Sequence, residues 1–422
     1  MRNKNLFGVF YYAVIMLLAI SVAFAVKPLK KISFAEEIRK SLNEQYSYDY
    51  EKSFGNETPV AKISANEIER SCKSYCLIDA KSGEAVLMNN EAKRLPIASM
   101  CKIMTLILCF ENLEAGKFSV NDSVTVSERA SGMGGSQVFL EAHKNYSVKD
   151  LIKSIVVASA NDSCVAMAEK ISGSVERFVT EMNNKAKELK MTDTNFVNPT
   201  GLPQEGQYSS AADACKMFKK LISFKEYFDY SKIWMDRIEH SEERYTEISN
   251  TNKLLKTYPS CDSGKTGYTS EAGHCITASA ERDGTRFITC VIGATDGKTR
   301  FKIASKLLDY GFNNFEYNEV ITPYEELSVA KVKNSKNKTV KIGTYEPYGF
   351  LVKHGEKKNY EFEINVKNLK APLARGENVG EISVYVEGVE KAKLNLVALS
   401  GAQKEDFSDI IKDFANGFNL IG

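Results

Sequence analysis

The sequence lacks a charge imbalance. Its 422 residues carry 56 Lys and Arg against 54 Asp and Glu, and removing the N-terminal Arg2 and Lys4 leaves residues 26–422 balanced. Nothing in that balance marks a nucleic-acid partner, and none is expected. Metal and thiol-redox signatures are missing too. The nine cysteines (72, 76, 101, 109, 164, 215, 261, 275 and 290) form no Cys-x-x-Cys pair and no zinc spacing, and the four histidines (143, 240, 274 and 354) are scattered. No Gly-x-Ser-x-Gly elbow and no His-Glu-x-x-His occurs, which removes the hydrolytic mechanisms those motifs carry. Both compositional extremes are absent as well: at 43% hydrophobic and 26% charged residues the chain is neither disordered nor polytopic in a membrane. The length predicts two to three domains, and no cofactor or metal is expected.

What is present begins with an export pattern. Arg2 and Lys4 precede a stretch from Leu6 to Val26 without a charged side chain, and Ala23-Phe24-Ala25 supplies a small-x-small cleavage site. The expected reading is a signal peptide over residues 1–25. The alternative is a retained anchor, because the run is just long enough for a hydrocarbon core of roughly 30 Å. Either way the remainder is placed outside the cytoplasm. An odd cysteine count leaves at least one thiol unpaired within the chain, and small buried hydrophobes account for the nine better than a disulfide framework does.

Residues 26–59 read as a polar, Tyr-rich linker with one short helix near Phe34–Leu42. Two apolar runs, 75–79 and 84–88, flank Lys81-Ser82-Gly83 and predict a hairpin. Helical spacing then dominates, over 103–113, 148–157, 162–171 and 175–189. Strand patterns return at 275–280 and 286–293 around Asp283-Gly284. Helices between early and late strands predict an α+β domain whose sheet is assembled from both ends of the segment. Alternating runs at 360–366, 381–386 and 393–397 predict a separate small β-sandwich. The expected boundaries are 60–317 for the first domain, 318–400 for the sandwich and 401–422 for a tail helix. In that tail Phe407, Ile410, Ile411, Phe414, Phe418 and Ile421 share one face, so peripheral membrane contact is expected, with docking on the β-domain as the alternative.

Three short motifs carry chemistry. Ser99-Met100-Cys101-Lys102 opens an apolar helix, and a three-residue step puts the lysine within reach of the serine hydroxyl. A serine needs a base, and a lysine serves if burial and a neighbouring cation depress its pKa. Alone the motif means little, since it recurs at Ser328–Lys331 and Ser335–Lys338. Ser159-Ala160-Asn161 is also weak singly, recurring at Ser41, Ser64, Ser119 and Ser335, and its bland reading is a helix N-cap. Lys265-Thr266-Gly267 is the single Lys-Thr-Gly. Order and spacing decide: Ser99 alone is followed by a Ser-x-Asn opening a helix and then by a Lys-Thr-Gly leading into paired strands.

With these motifs the chain resembles the penicillin-interacting serine D-alanyl-D-alanine carboxypeptidases, relatives of the serine β-lactamases. The likeness runs from about Pro59 to Tyr317 and includes 94–98, Ser159–Asp162, Asn198–Leu202, Lys265–Thr269 and 307–312. Beyond it, Ala371-Pro372 and 376–380 resemble the family's C-terminal β-domain. The resemblance implies removal of the terminal D-alanine from peptidoglycan stem peptides ending in D-Ala-D-Ala, with β-lactam antibiotics as covalent inhibitors. It implies Ser99 as nucleophile, Lys102 as general base and Ser159 as proton donor to the leaving amine. Asn161, Lys265, Thr266 and Tyr268 would bind substrate, the last through its backbone N–H beside that of Ser99. Arg286, on the strand expected beside Lys265–Tyr268, is the candidate second contact for the substrate carboxylate. Three departures stand out: Cys101 where Thr is common, Gly264 where a larger apolar residue is usual, and Ala212 where many members carry Arg. An endopeptidase cutting existing cross-links remains open, as do a β-lactamase, against which the separate β-domain argues, and a non-catalytic wall-binding protein.

Overall fold

The computed structural model describes Ile68 and residues 70–407. The export segment, the linker with its short helix and the tail beyond Phe407 lie outside the described residues. Among the described residues no helix is long and apolar enough to cross a membrane.

The chain enters through β1 (Ser74–Asp79) and β2 (Ala85–Asn89), a hairpin closed by Gly83 at φ +80°. Helix α1 (Lys102–Glu114) follows, buried on every side from Lys102 to Phe110, as a helix without a polar face must be. Two short ribbons frame the helices: β3 (Ser123–Thr125) with β4 (Asn145–Ser147), and β5 (Met235–Glu239) with β6 (Tyr245–Ser249). Between the ribbons come α2 (Val148–Val157), α3 (Asn161–Ser172), α4 (Val175–Glu188) and α5 (Ala211–Leu221). Ser147, Ser174 and Ser210 cap α2, α4 and α5 through side-chain oxygens, while Gly173 ends α3 in the left-handed region.

Three long strands close the domain: β7 (Cys261–Thr269), β8 (Gly273–Arg282) and β9 (Thr285–Ala294). Asp283 and Gly284 both have positive φ, the requirement of a two-residue turn that matches strand twist. The sheet order is β2-β1-β9-β8-β7, all antiparallel, so β1 pairs with a strand more than two hundred residues later. One face carries α1 to α5 over a core that includes Cys76, Met100, Leu106, Ile155 and Phe218. The other carries α6 (Gly297–Asn314) on Phe287, Val291, Leu307 and Leu308. Helix α5 and helix α6 were not legible in the apolar spacing used above.

From Asn314 the backbone passes directly into β10 (Phe315–Ile321), which pairs with β13 (Tyr348–Lys353). The remaining strands are β11 (Ser328–Lys333), β12 (Thr339–Thr344), β14 (Tyr360–Val366), β15 (Leu369–Lys370), β16 (Asn378–Val386) and β17 (Val389–Ala398). They form a six-stranded sheet ordered β14-β16-β17-β12-β11-β15. Its core of Ile342, Phe350, Val379, Ile382, Val384 and Leu396 is separate from those of the first domain. None of the nine cysteines is in a disulfide and eight of them are buried, so those eight pack as small hydrophobes.

Candidate active site

Ser99 lies in a single 3-10 turn, Ala98–Cys101, that winds directly into α1. Ala98 is held at φ +48°, a strained conformation for a residue with a Cβ. The turn is pinned from outside by Gly201, where a Cβ would lie 2.0 Å from Ala98 O. Lys102 is the first residue of α1 and fully buried, with Nζ 2.8 Å from Ser99 Oγ. It also donates to Thr200 O at 2.6 Å. The neighbouring loop is fixed from the same helix: Cys101 Sγ donates to Asn198 O at 3.2 Å and Thr105 Oγ1 to Pro199 O at 2.8 Å. The Cys101 thiol therefore holds the loop, and burial raises its pKa, so it is no thiolate.

The second wall is Ser159-Ala160-Asn161. Ser159 has φ +61° and its Oγ accepts from Lys265 Nζ at 2.7 Å, while Ala160 occupies the N-cap position of α3. The simple capping role for Ser159 does not apply. Asn161 Nδ2 donates to Gly134 O at 2.7 Å, which leaves Oδ1 buried without a hydrogen-bond partner. Asp162, the next residue, accepts from the backbone N–H groups of Val138, Leu140 and Ser163 and so pins the segment in front of α3. Its pKa is raised by burial, which those three donors oppose.

Strand β7 is the third wall. Lys265 is 1% exposed, and besides Ser159 it bonds Thr266 O. Thr266 Oγ1 donates to Thr251 Oγ1 at 2.8 Å. A Cβ on Gly267 would lie 2.7 Å from Ile97 O and 3.0 Å from Ser99 N, so only glycine lets this strand close against the nucleophile turn. The unusual Gly264 has a local cause: the buried Asn252 amide occupies the space where its Cβ would stand, at 2.5 Å. From Ser263 onward the pairing with β8 is regular. Tyr268 projects at 59% exposure, its ring stacked 4.3 Å from His274.

The structure corrects the assignment of Arg286. Its guanidinium is bound to Asp262 at 2.8 Å, to Glu281 and to Ser279 Oγ. It also stands four residues down β9 from Cys290, the row partner of Thr277 and so of Lys265, which is roughly 13 Å along a strand. The cation at the site is Arg300, from the first turn of α6, which donates to Gly267 O at 3.0 Å and Cys275 O at 3.3 Å and keeps a buried Nε without a partner. No motif surrounds Arg300 in the sequence, and only the packing of α6 on the sheet brings it there.

Burial is the first cause that lowers the pKa of Lys102; the nearby Cys164, Cys101 and Asp162 oppose it. Lys265 is lowered further, by burial, then by repulsion from Lys102, with Arg300 adding to it. The two buried amines repel one another, and neither makes an ion pair with a carboxylate among the described residues, so the site disfavours a proton on both at once.

A serine next to a buried lysine, a second lysine on a second serine, and a glycine-lined strand edge together define a serine acyl-transfer enzyme of the Ser-x-x-Lys class. The chain belongs to the D-alanyl-D-alanine carboxypeptidase family, whose model matches residues 60–296, and residues 315–404 match the penicillin-binding protein 5 C-terminal domain. It is 40% identical to the D-alanyl-D-alanine carboxypeptidase DacF of Bacillus subtilis, over 82% of this chain and 90% of that one. Among solved structures it is similar to penicillin-binding protein 5 from Haemophilus influenzae, with 31% identity, a TM-score of 0.64, and 79% and 98% of the two chains covered. It is also similar to penicillin-binding protein D2 from Listeria monocytogenes in its ampicillin-bound form, with 30% identity, a TM-score of 0.51, and 57% and 97% covered.

Proposed function

We propose that this chain removes the terminal D-alanine from peptidoglycan stem peptides through an acyl-enzyme on Ser99, and so limits cross-linking. The observation that carries the reading is the convergence of Ser99 with Lys102, and of Ser159 with Lys265, at one strand edge. Neutral Lys102 takes the Ser99 proton as Oγ attacks the penultimate carbonyl. Ser159 gives its hydroxyl proton to the departing D-alanine amine and takes one back from Lys265, from whose Nζ its Oγ already accepts, so the lysine pair ends the step with the proton that left Ser99. The oxyanion is held by the backbone N–H groups of Ser99 and Tyr268, each such donor contributing about 3 kcal/mol in comparable sites. Asn161 Oδ1 accepts from the substrate amide. Arg300 and, when protonated, Lys265 make the carboxylate end of the cleft positive, and Thr266 adds a hydroxyl there. A β-lactam enters the same cycle and stops at the acyl-enzyme when deacylation is slow.

The export pattern in the sequence supports a location outside the cytoplasmic membrane, and the spacing of apolar residues after Glu405 supports peripheral membrane contact. The test is incubation of the chain with a pentapeptide stem and with a cross-linked dimer, following D-alanine release against monomer release, with fluorescent penicillin as the active-site label. D-Alanine release and labelling that disappear together in Ser99→Ala are expected. Labelling that persists in Ser99→Ala overturns the nucleophile assignment, and monomer release without D-alanine release makes the chain an endopeptidase.

A further inference from the structure

Strand β14 ends the six-stranded sheet and has no neighbour on its outer side among the described residues. Its side chains alternate strictly. Tyr360, Phe362, Ile364 and Val366 face the same way as their cross-strand partners Val386, Val384, Ile382 and Gly380, which are buried. Phe350 of β13 reaches the start of this strand, its ring 6.0 Å from that of Tyr360, yet Tyr360, Phe362 and Val366 remain 44%, 37% and 40% exposed. The backbone has the same parity. Asn359 O accepts from Glu387 N and Lys367 N donates to Val379 O, so the odd-numbered residues bond inward to β16. The outward N–H and C=O groups therefore belong to Tyr360, Phe362, Ile364 and Val366. A regular apolar edge of this length pairs with another strand unless something blocks it, and neither proline nor a bulge interrupts it.

The sequence of the strand is complementary to itself. In an antiparallel pair of two copies with Ile364 opposite Ile364, Phe362 meets Val366, Glu363 meets Asn365 and Glu361 meets Lys367. Sliding one copy by two residues toward the N-terminus sets Glu363 against Glu363, and like charges directly opposite are destabilising; sliding it by two the other way sets Glu363 against Lys367 but leaves Phe362 opposite Asn368 in place of Val366. The Ile364-centred register also pairs the residues whose backbone groups point outward. Glu361 makes no ion pair within its own chain among those described, and Lys367 reaches only Asn378 Oδ1.

We propose that this chain forms a two-fold symmetric dimer in which β14 pairs with β14 of a second copy about Ile364, so that the two sheets run on as one. Such an interface is isologous: Glu361 of each copy meets Lys367 of the other, twice. The test is sedimentation velocity of the full chain in mild detergent over a concentration series, with thermal melts by circular dichroism as a check on folding. Wild type should sediment at twice the chain mass. Glu361→Lys should weaken the dimer at least about tenfold by setting two lysines opposite each other. Glu361→Lys with Lys367→Glu should restore it, and Ile364→Pro, which removes an outward N–H and leaves the bonds to β16 intact, should give a monomer that still melts cooperatively, at a somewhat lower temperature because Ile364 packs on the core of its own domain. A wild type that stays monomeric to 0.1 mM (about twice the level at which ~50 µM dimers would show), a dimer indifferent to Glu361→Lys and Ile364→Pro, or a loss that the charge swap does not rescue would each overturn the proposal.

Discussion

At the scale of single residues the site is a matter of two lysines and where their protons sit. Lys102 must be neutral to accept from Ser99, and burial moves its pKa below the ordinary lysine range. Lys265 must carry the proton to hold a carboxylate; its own pKa is lowered further than that of Lys102, so the arriving carboxylate of substrate or penicillin is what favours the proton on Lys265 over Lys102. The pair is competent with one proton, so penicillin acylation should be bell-shaped in pH: rising as the first proton leaves the pair, falling as the second does. Arginine does not deprotonate in this range, so Lys265→Arg should keep the rising limb and lose the falling one, checked by acylation rates normalised to their own maximum. A falling limb that survives Lys265→Arg would show that the proton lost at high pH is not on Lys265. The two arginines give a second contrast. Arg300→Ala should raise KM at least about tenfold for substrates bearing the terminal carboxylate, with a smaller effect on kcat. Arg286→Ala should leave KM within about twofold, because its guanidinium is already committed to Asp262 and Glu281.

At the scale of elements the active site is a contact between a turn and a strand. Gly267 and Gly201 are the two positions where backbone meets the nucleophile turn so closely that a methyl group has no room. The expected result for Gly267→Ala is an acylation rate at least about a hundredfold lower with little loss of penicillin-independent folding, since β7 need only shift by part of an ångström to misplace the oxyanion donors. A stopped-flow penicillin-binding assay with a parallel thermal melt would separate this from unfolding; near-normal acylation would mean the strand is free to move. The hairpin turns, by contrast, are local. Asp283-Gly284 and Glu387-Gly388 take positive φ at both central positions and need no help from the rest of the chain.

At the scale of the whole molecule, the two domains are joined without a linker, α6 running straight into β10. Leu351 of β13 packs into the lower core of the first domain, Tyr317 N donates to Thr285 Oγ1, and Lys81 meets Glu319 at 3.2 Å and the Tyr317 ring. The exposed Lys81 to Glu319 pair contributes little. Burial of Leu351 counts for more, about 1.5–3 kcal/mol. Leu351→Ala should therefore lower thermal stability while leaving penicillin acylation per folded molecule within about threefold, because every residue of the site lies between Ile97 and Arg300. A matched loss of acylation would mean that the β-domain positions the catalytic groups. A melt indistinguishable from wild type would mean that Leu351 does not bind the domains together.

What the amino-acid order determined is whatever depends on near neighbours. The three-residue step from Ser99 to Lys102, the amphipathic run of α2, the glycine turns and the strand alternation of the second domain are local, and each was legible. The α+β class followed because helices between early and late strands leave few other ways to build a sheet. Tertiary structure decided everything that joins distant segments. Arg286 and Arg300 are both arginines near the last strands, and no local pattern tells which one reaches Lys265; that depends on how α6 packs across β7 and β8. Helix α5 is hard to see in the sequence because its apolar residues are interleaved with Asp213, Lys216, Lys219 and Lys220. A buried Lys102 with a lowered pKa is expected from its apolar helix, but the burial itself is settled by the folded core, because desolvation belongs to the packing and no residue carries it alone.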